Sequence, residues 1–167
     1  PTIRRNAAPA PPPGERDHDK VASHVPEDYD ALQVKANYYA MIEHLDAQVG
    51  RILQALQESG QAEDTIVLFH SDHGEMLGDH GLVLKGCRFF EGLVHVPMIW
   101  RWPGRAQAGL ESDALVELVD IAPTLLEAAG IEIPWQIQGR SLLPILEGRA
   151  DPHTHKQRVV CEFKDSI

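Results

Sequence analysis

Cysteine is scarce. Cys87 and Cys161 are the only two in 167 residues, too few for a disulfide framework and too few to assign a redox compartment. Basic residues are in deficit as well: 15 Lys and Arg against 25 Asp and Glu leave a formal net charge of −10 and a pI near 5.3. That balance excludes nucleic acid as a partner, because a phosphate backbone needs a basic face. It also repels anions at long range, so an anionic substrate must be met by cations placed locally. No apolar run approaches the length of a membrane span. No signal peptide is found at residue 1, and the sequence assigns no cellular location. What is left, 43% hydrophobic and 24% charged residues, is the composition of an ordinary soluble protein of about one domain.

The chemistry is concentrated in residues 64–88, DTIVLFHSDHGEMLGDHGLVLKGCR. Thr65, Ile66, Val67, Leu68 and Phe69 form a continuous apolar, β-prone run, the pattern of a strand buried on both faces of a parallel sheet. His70, Ser71, Asp72, His73 and Gly74 then fall at the carboxyl end of that strand, where open α/β sheets place their ligands. Asp72 and His73 are the candidate metal ligands. Consecutive side chains of an extended chain point to opposite sides, so both reach one ion only if the backbone turns sharply, and Gly74 is expected to permit that turn. Alone, Asp-His-Gly reads as a turn with a solvated histidine. Its surroundings change the reading, because Glu75, Asp79, His80 and Lys85 share the segment with Gly74, Gly78, Gly81 and Gly86. Ionisable groups there sit on backbone that can approach a ligand closely.

The run Ser71-Asp72-His73-Gly74-Glu75-Met76-Leu77-Gly78-Asp79-His80-Gly81, with Lys85 thirteen positions after Asp72, resembles the second signature region of the type I sulfatases, members of the alkaline phosphatase superfamily. Asp-His-Gly alone indicates only the superfamily; Gly-Asp-His-Gly and the downstream Lys narrow it to sulfatases and the similar phosphonate monoester hydrolases. The similarity continues through Phe90-Glu91-Gly92, Val96-Pro97-Met98-Ile99-Trp100 and Trp102-Pro103-Gly104. It extends through Asp120-Ile121-Ala122-Pro123-Thr124-Leu125-Leu126 and Gln138-Gly139-Arg140-Ser141-Leu142-Leu143-Pro144, covering roughly residues 27 to 163. The resemblance implies an α/β fold, part of a doubly wound, mostly parallel sheet flanked by helices, and a hydrolase of small-molecule or saccharide sulfate esters. It makes Asp72 and His73 ligands of a divalent ion, calcium ahead of magnesium or manganese, and Lys85 the cation that contacts the sulfate and helps the leaving oxygen depart. A hard cation takes oxygen ligands with an occasional nitrogen and neutralises charge during in-line displacement; an ammonium beside the ester oxygen acts as point charge and proton donor. Glu75, Asp79, His80, Arg88 and His24 are weaker candidates, for substrate contact or for orienting the ligands.

The family's nucleophile is a formylglycine made from the Cys or Ser of a Cys/Ser-x-Pro-x-Arg motif, and that motif is absent here. Cys87 is followed by Arg88 and Phe89, and Cys161 by Glu162 and Phe163. Nor can the family's paired aspartates on an early strand be placed, or the Lys and His that follow its nucleophile. The resemblance therefore implies the carboxyl-terminal part of a sulfatase domain, inactive alone, whose missing amino-terminal half supplies the nucleophile. Its mechanism would be attack by the hydrated formylglycine on sulfur, release of the alcohol and elimination of sulfate. Two alternatives stand beside it: a phosphonate or phosphate ester hydrolase of the same superfamily, and a truncated non-catalytic chain that binds a divalent ion or a partner.

Along the chain, residues 1–26 are Pro- and Ala-rich and expected to be irregular; residues 27–167 are expected to form the sulfatase-like α/β portion. A helix is expected from about Glu27 to Ser59, with Ile42, Leu45, Val49, Ile52, Leu53 and Leu56 in one stripe, Tyr38, Tyr39 and His44 as packing residues, and Gly60 as the stop. Val94 to Trp102 reads as a second buried strand broken by Pro97. Asp120 is expected to cap a helix through Pro123 to Ala129. A loop and short helix should follow over 131–148, with Arg140 structural. Residues 150–156 look exposed despite the chelator-like spacing of His153 and His155, and Val159 to Phe163 reads as a last strand.

Overall fold

The computed structural model describes residues 29–86 and 88–162. The expected irregular stretch 1–26, with His24, lies outside them, as do Cys87 and Phe163. The described residues form two compact units, one of residues 29–59 and 71–97, the other of residues 60–70 and 98–162.

The first unit opens with helix α1 (Ala31–Glu58). It starts later than Glu27 because the Asp30 carboxylate accepts from the Leu32 and Gln33 backbone N–H groups at 3.0 and 3.1 Å, satisfying donors with no partner inside the helix. It ends as expected, at Ser59 and the positive-φ Gly60. The apolar stripe is present, yet no residue of α1 is buried. Ile42, Leu45 and Ile52 are 49, 53 and 67% exposed, and Tyr39 is 62% exposed. Val49 and Leu56 are half-buried, but Tyr39 and His44 are exposed, so the packing role expected for these two is not met among the described residues. Residues 71–97 instead close on their own small core of Met76, Leu82 and Leu93, with Phe90 packed against it. Helix α2 (Glu91–Val94) is a single turn within this segment.

In the second unit, strand β1 (Val67–His70) pairs with β2 (Met98–Arg101), Val67 opposite Arg101 and His70 opposite Met98. The pairing is antiparallel, and Val67 and Leu68 are half-buried while Phe69 is exposed. Among the described residues β2 is the one hydrogen-bonded partner of β1, so the parallel neighbours and two-sided burial expected of this strand are not found within them. Val94 belongs to α2, and β2 begins just after Pro97, which has no N–H to give a ladder. Helix α3 (Ile121–Ala128) is followed by the positive-φ Gly130, and α4 (Leu143–Leu146) by an irregular tail. The elements amount to a partial α/β architecture with one small antiparallel sheet.

Asp120 does not cap α3 with its side chain. It is fully buried and accepts from Arg140 N at 2.7 Å, Glu117 N at 2.9 Å and Lys156 Nζ at 2.7 Å. Thr124 extends this hub, its hydroxyl donating to Asp120 O and accepting from Leu142 N. The Glu117 carboxylate also takes Lys156 Nζ. Burial alone would raise the Asp120 pKa; the hydrogen bonds from Lys156 and the two backbone donors outweigh it and hold the carboxyl below its usual range. His155 is buried as well, with Nε2 3.4 Å from Asp120 Oδ2, and burial pushes its pKa down. Residues 150–156 are therefore not uniformly exposed: the Asp120 carboxylate draws His155 and Lys156 inward, while His153 stays out, paired with Asp113. Arg140 donates to His155 O at 2.7 Å, the structural role expected of it. Residues 159–162 form no strand; Val160 N is instead bound by Glu117 Oε1 at 2.9 Å.

Removing the hub carboxylate leaves two backbone donors without their acceptor and Lys156 with Glu117 alone, so Asp120→Ala should cost the intact protein about 3–5 kcal/mol in urea denaturation. His155, neutral when folded and easier to protonate when unfolded, contributes stability above its ordinary pKa of about 6.5 that is lost as pH falls below it. His155→Gln should therefore flatten the fall in denaturation midpoint between about pH 6.5 and 5.

Candidate functional site

The residues that follow β1 form a hairpin-like loop with an unusual backbone. Leu77, His80 and Leu84 adopt φ of 48, 56 and 61°, and Gly78, Gly81 and Gly86 φ of 93, 73 and 57°. Left-handed backbone costs a residue with a β-carbon about 1–2 kcal/mol, so three such residues in eight mark a path imposed by the packing around it. Its ladder is formed by Met76 N to Leu84 O at 3.1 Å and Gly78 N to Leu82 O at 2.8 Å. On its other side, Gly74 N donates to Leu93 O at 2.9 Å and Glu75 N to Gly92 O at 3.1 Å.

The chain does bend here, at Asp72, but Gly74 is not at positive φ, so left-handed torsion is not what it contributes. Glycine is required for space: a β-carbon would lie 1.9 Å from Gly92 O. Crowding replaces torsion as the reason for the residue.

This framework brings Asp72, His73 and Lys85 together. His73 Nε2 lies 3.6 Å from Asp72 Oδ2 and 2.9 Å from Lys85 Nζ. His73 Nδ1 sits 2.9 Å from Gly74 O. A carbonyl only accepts and an ammonium only donates, so the proton of the neutral ring is on Nδ1 and the Nε2 lone pair faces Lys85. The backbone thus presents an imidazole lone pair beside a carboxylate, the donor set that suits a cation. Among the described residues no three His, Cys, Asp or Glu side chains converge to hold a metal ion. Asp72 and His73 are a pair of donors, and any further ligands come from outside them.

The weaker candidates are scattered around this triplet. Glu75 Oε1 accepts from Met76 N at 3.1 Å, serving the loop's own backbone. Asp79 pairs with Lys35 of α1 at 4.0 Å. His80 stacks on Phe90, ring centroids 4.2 Å apart and 18° from parallel. Arg88 is exposed, and His24 lies outside the described residues. Sequence reasoning missed Tyr29, whose ring packs on Gly78, and the Gly92 and Leu93 carbonyls that anchor the loop. Tyr29 stands just before the α1 cap, a position that carries no motif.

Gly74→Ala should displace the loop from Gly92, lowering stability by about 1–3 kcal/mol. Loss of amide-exchange protection at residues 74 and 75, out of proportion to the rest of the fold, would identify that contact as the cause.

Comparison with known proteins bears on what this arrangement is for. Residues 6–131 match the sulfatase family model. An arylsulfatase of Clostridium perfringens is 45% identical over 120 residues, 70% of this chain and 25% of the relative. The crystal structure of a phosphonate monoester hydrolase of Agrobacterium radiobacter superposes with a TM-score of 0.68 at 42% identity, covering 71% of this chain and 24% of that one. A protein solved in complex with its substrate D-glucosamine-2-N,6-O-disulfate superposes with a TM-score of 0.64 at 39% identity, covering 72% and 24%. The chain spans about a quarter of the length of these relatives. The family model takes in well over half of the chain, including the whole loop that joins Asp72, His73 and Lys85, and the chain belongs to the sulfatase family.

Proposed function

We propose that the intact protein hydrolyses sulfate monoesters of small molecules or saccharides with the help of a divalent ion. In this reading Asp72 and His73 are ligands of the ion and Lys85 contacts the sulfate and the leaving oxygen. One observation carries it: the Asp72 carboxylate, the His73 lone pair and the Lys85 ammonium meet at one point on a chain whose net charge is −10. Donors 3.6 Å apart fit a shared cation with ligand distances of about 2.3–2.6 Å. Such an ion supplies Lewis-acid neutralisation of the charge on the sulfuryl oxygens.

The chain's own residues account for the rest of its share. The Gly74 carbonyl holds the His73 ring with Nε2 outward. Lys85, exposed at the loop's far end, has three donors; the one that faces the His73 Nε2 lone pair would be released when that lone pair goes to the ion, leaving the ammonium to the ester and sulfuryl oxygens. As the bond to sulfur breaks, negative charge builds on the leaving oxygen, and the ammonium stabilises it or donates the proton. The nucleophile, in this reading a formylglycine, comes from outside these 167 residues. The remainder of the metal sphere comes from outside the described residues, with calcium favoured by the resemblance to the sulfatases.

A second reading, a phosphonate or phosphate ester hydrolase with the same ion and Lys85, is supported by the likeness to the phosphonate monoester hydrolase. It would be preferred if kcat/KM for an aryl phosphonate exceeded that for the matching aryl sulfate. No turnover of either ester, with or without the ion, would replace both with a non-catalytic metal-binding chain.

In the intact protein, Asp72→Ala should abolish turnover and remove calcium-dependent thermal stabilisation, which for the parent amounts to about 2.7 kcal/mol at a hundredfold excess over Kd. Survival of both would refute the ligand assignment. Lys85→Ala should lower kcat/KM by about 10²- to 10⁴-fold on esters with poor leaving groups, the range of a positioned proton donor.

A further inference from the structure

Tyr29 has a buried hydroxyl with no hydrogen-bond partner among the described residues. Its ring bears on the tip of the 76–84 hairpin. A β-carbon on Gly78 would lie 3.4 Å from Tyr29 Cε1, 3.6 Å from its oxygen and 3.9 Å from Cζ. Gly78, at φ 93°, sits in the densest part of the left-handed path, between Leu77 and His80. The ring therefore lies over Gly78 at a distance where a β-carbon would meet it in ordinary van der Waals contact, and it is the positive φ that favours glycine there. Burial, then the nearby Glu75 and Asp79 carboxylates, pushes the phenol pKa up and keeps it neutral between them. The contact is one of shape, since the hydroxyl donates to none of the described groups.

The position of that contact gives it consequence. The hairpin runs from Met76, four residues after Asp72, to Leu84, immediately before Lys85, and its first rung is Met76 N to Leu84 O. A change in the bend at Gly78 is transmitted along the two arms to the residues that hold His73 and Lys85 at 2.9 Å. Lys35 of α1, 4.0 Å from Asp79, reaches the same tip through an exposed pair that adds little by itself.

We propose that Tyr29 is a positioning residue for Lys85: its buried ring, lying over Gly78, backs the hairpin tip in its left-handed path and so holds the ammonium beside His73, where the leaving oxygen departs. This rests on the role of Lys85 given above. Tyr29 touches neither substrate nor ion. A misplaced ammonium matters most when the leaving group is poor, so loss of the ring selects against substrates by leaving-group basicity rather than lowering all rates equally.

The test is the slope of log kcat/KM against leaving-group pKa, measured with the intact protein on aryl sulfates of rising phenol pKa and one alkyl sulfate. Tyr29→Ala should lose on the order of 10- to 100-fold on the alkyl sulfate and no more than about 3-fold on a nitrophenyl sulfate, steepening the slope. Tyr29→Phe, which keeps the ring, should behave as the parent. If Tyr29→Ala does not accumulate as folded protein, Tyr29→Leu, which keeps the burial and loses the planar ring, is read in its place. An equal loss across the series would overturn the inference as a general structural effect, and a loss in Tyr29→Phe matching that in Tyr29→Ala would overturn it in favour of the hydroxyl. Lys85→Ala on the same series separates the two levels. A steep Lys85→Ala slope with a flat Tyr29→Ala slope defeats the Tyr29 inference alone. A flat slope for both defeats the role given to Lys85.

Discussion

The pair of backbone hydrogen bonds from Gly74 and Glu75 to Leu93 and Gly92 is the constraint on which the candidate site depends. It lets two segments approach so closely that no β-carbon fits at residue 74. With that seam closed, Met76 can donate to Leu84, and the arms of the hairpin run back to Asp72 and His73 on one side and Lys85 on the other. The three candidate side chains are thus brought together by main-chain bonds, while they themselves remain half-buried or exposed. A site built in this way is organised before a substrate arrives, which is what electrostatic catalysis requires of its charges.

The arrangement is held against strain. Three residues with β-carbons in left-handed backbone cost a few kcal/mol between them, by the usual ~1–2 kcal/mol each. Burial of Met76, Leu82 and Leu93 opposes this with a contribution of comparable size, about 1.5–3 kcal/mol per side chain. The margin is narrow, and shape contacts at the rim, such as the Tyr29 ring on Gly78 and His80 on Phe90, then decide how sharply the path is defined.

The second unit uses charge differently. Around Asp120, a fully buried carboxylate gathers two backbone donors and Lys156, with Arg140 and His155 close by. There the charges are withdrawn from water and matched to one another, so they fix the path of the chain from Glu117 to Val160. In the loop the charges stand exposed and unbalanced. That contrast separates a cluster that stabilises a fold from one that is a candidate for function.

Local chemistry made much of this readable in the chain alone. The α1 periodicity, its stop at Gly60, the helix before Gly130, the start of β2 after Pro97 and the reactive stretch from Asp72 to Lys85 all follow from residues within a few positions of one another. The wrong expectations involved partners distant in sequence. The apolar run at 65–69 could not say that β2 would pair with it or in which direction, because composition alone does not name a strand's neighbour. Asp120 looked like a helix cap because a cap needs only its neighbours; that its carboxylate would turn to Arg140 and Lys156 depended on chain that returns later. His155 looked exposed for the same reason. The sequence by itself determined the family and the chemical types at the site, since side-chain identity and short spacing carry both. Only the tertiary structure decided that Gly74 serves close approach rather than a turn, that His73 presents Nε2 to Lys85, and that Tyr29 belongs to the loop, because each depends on atoms that meet only when distant segments pack.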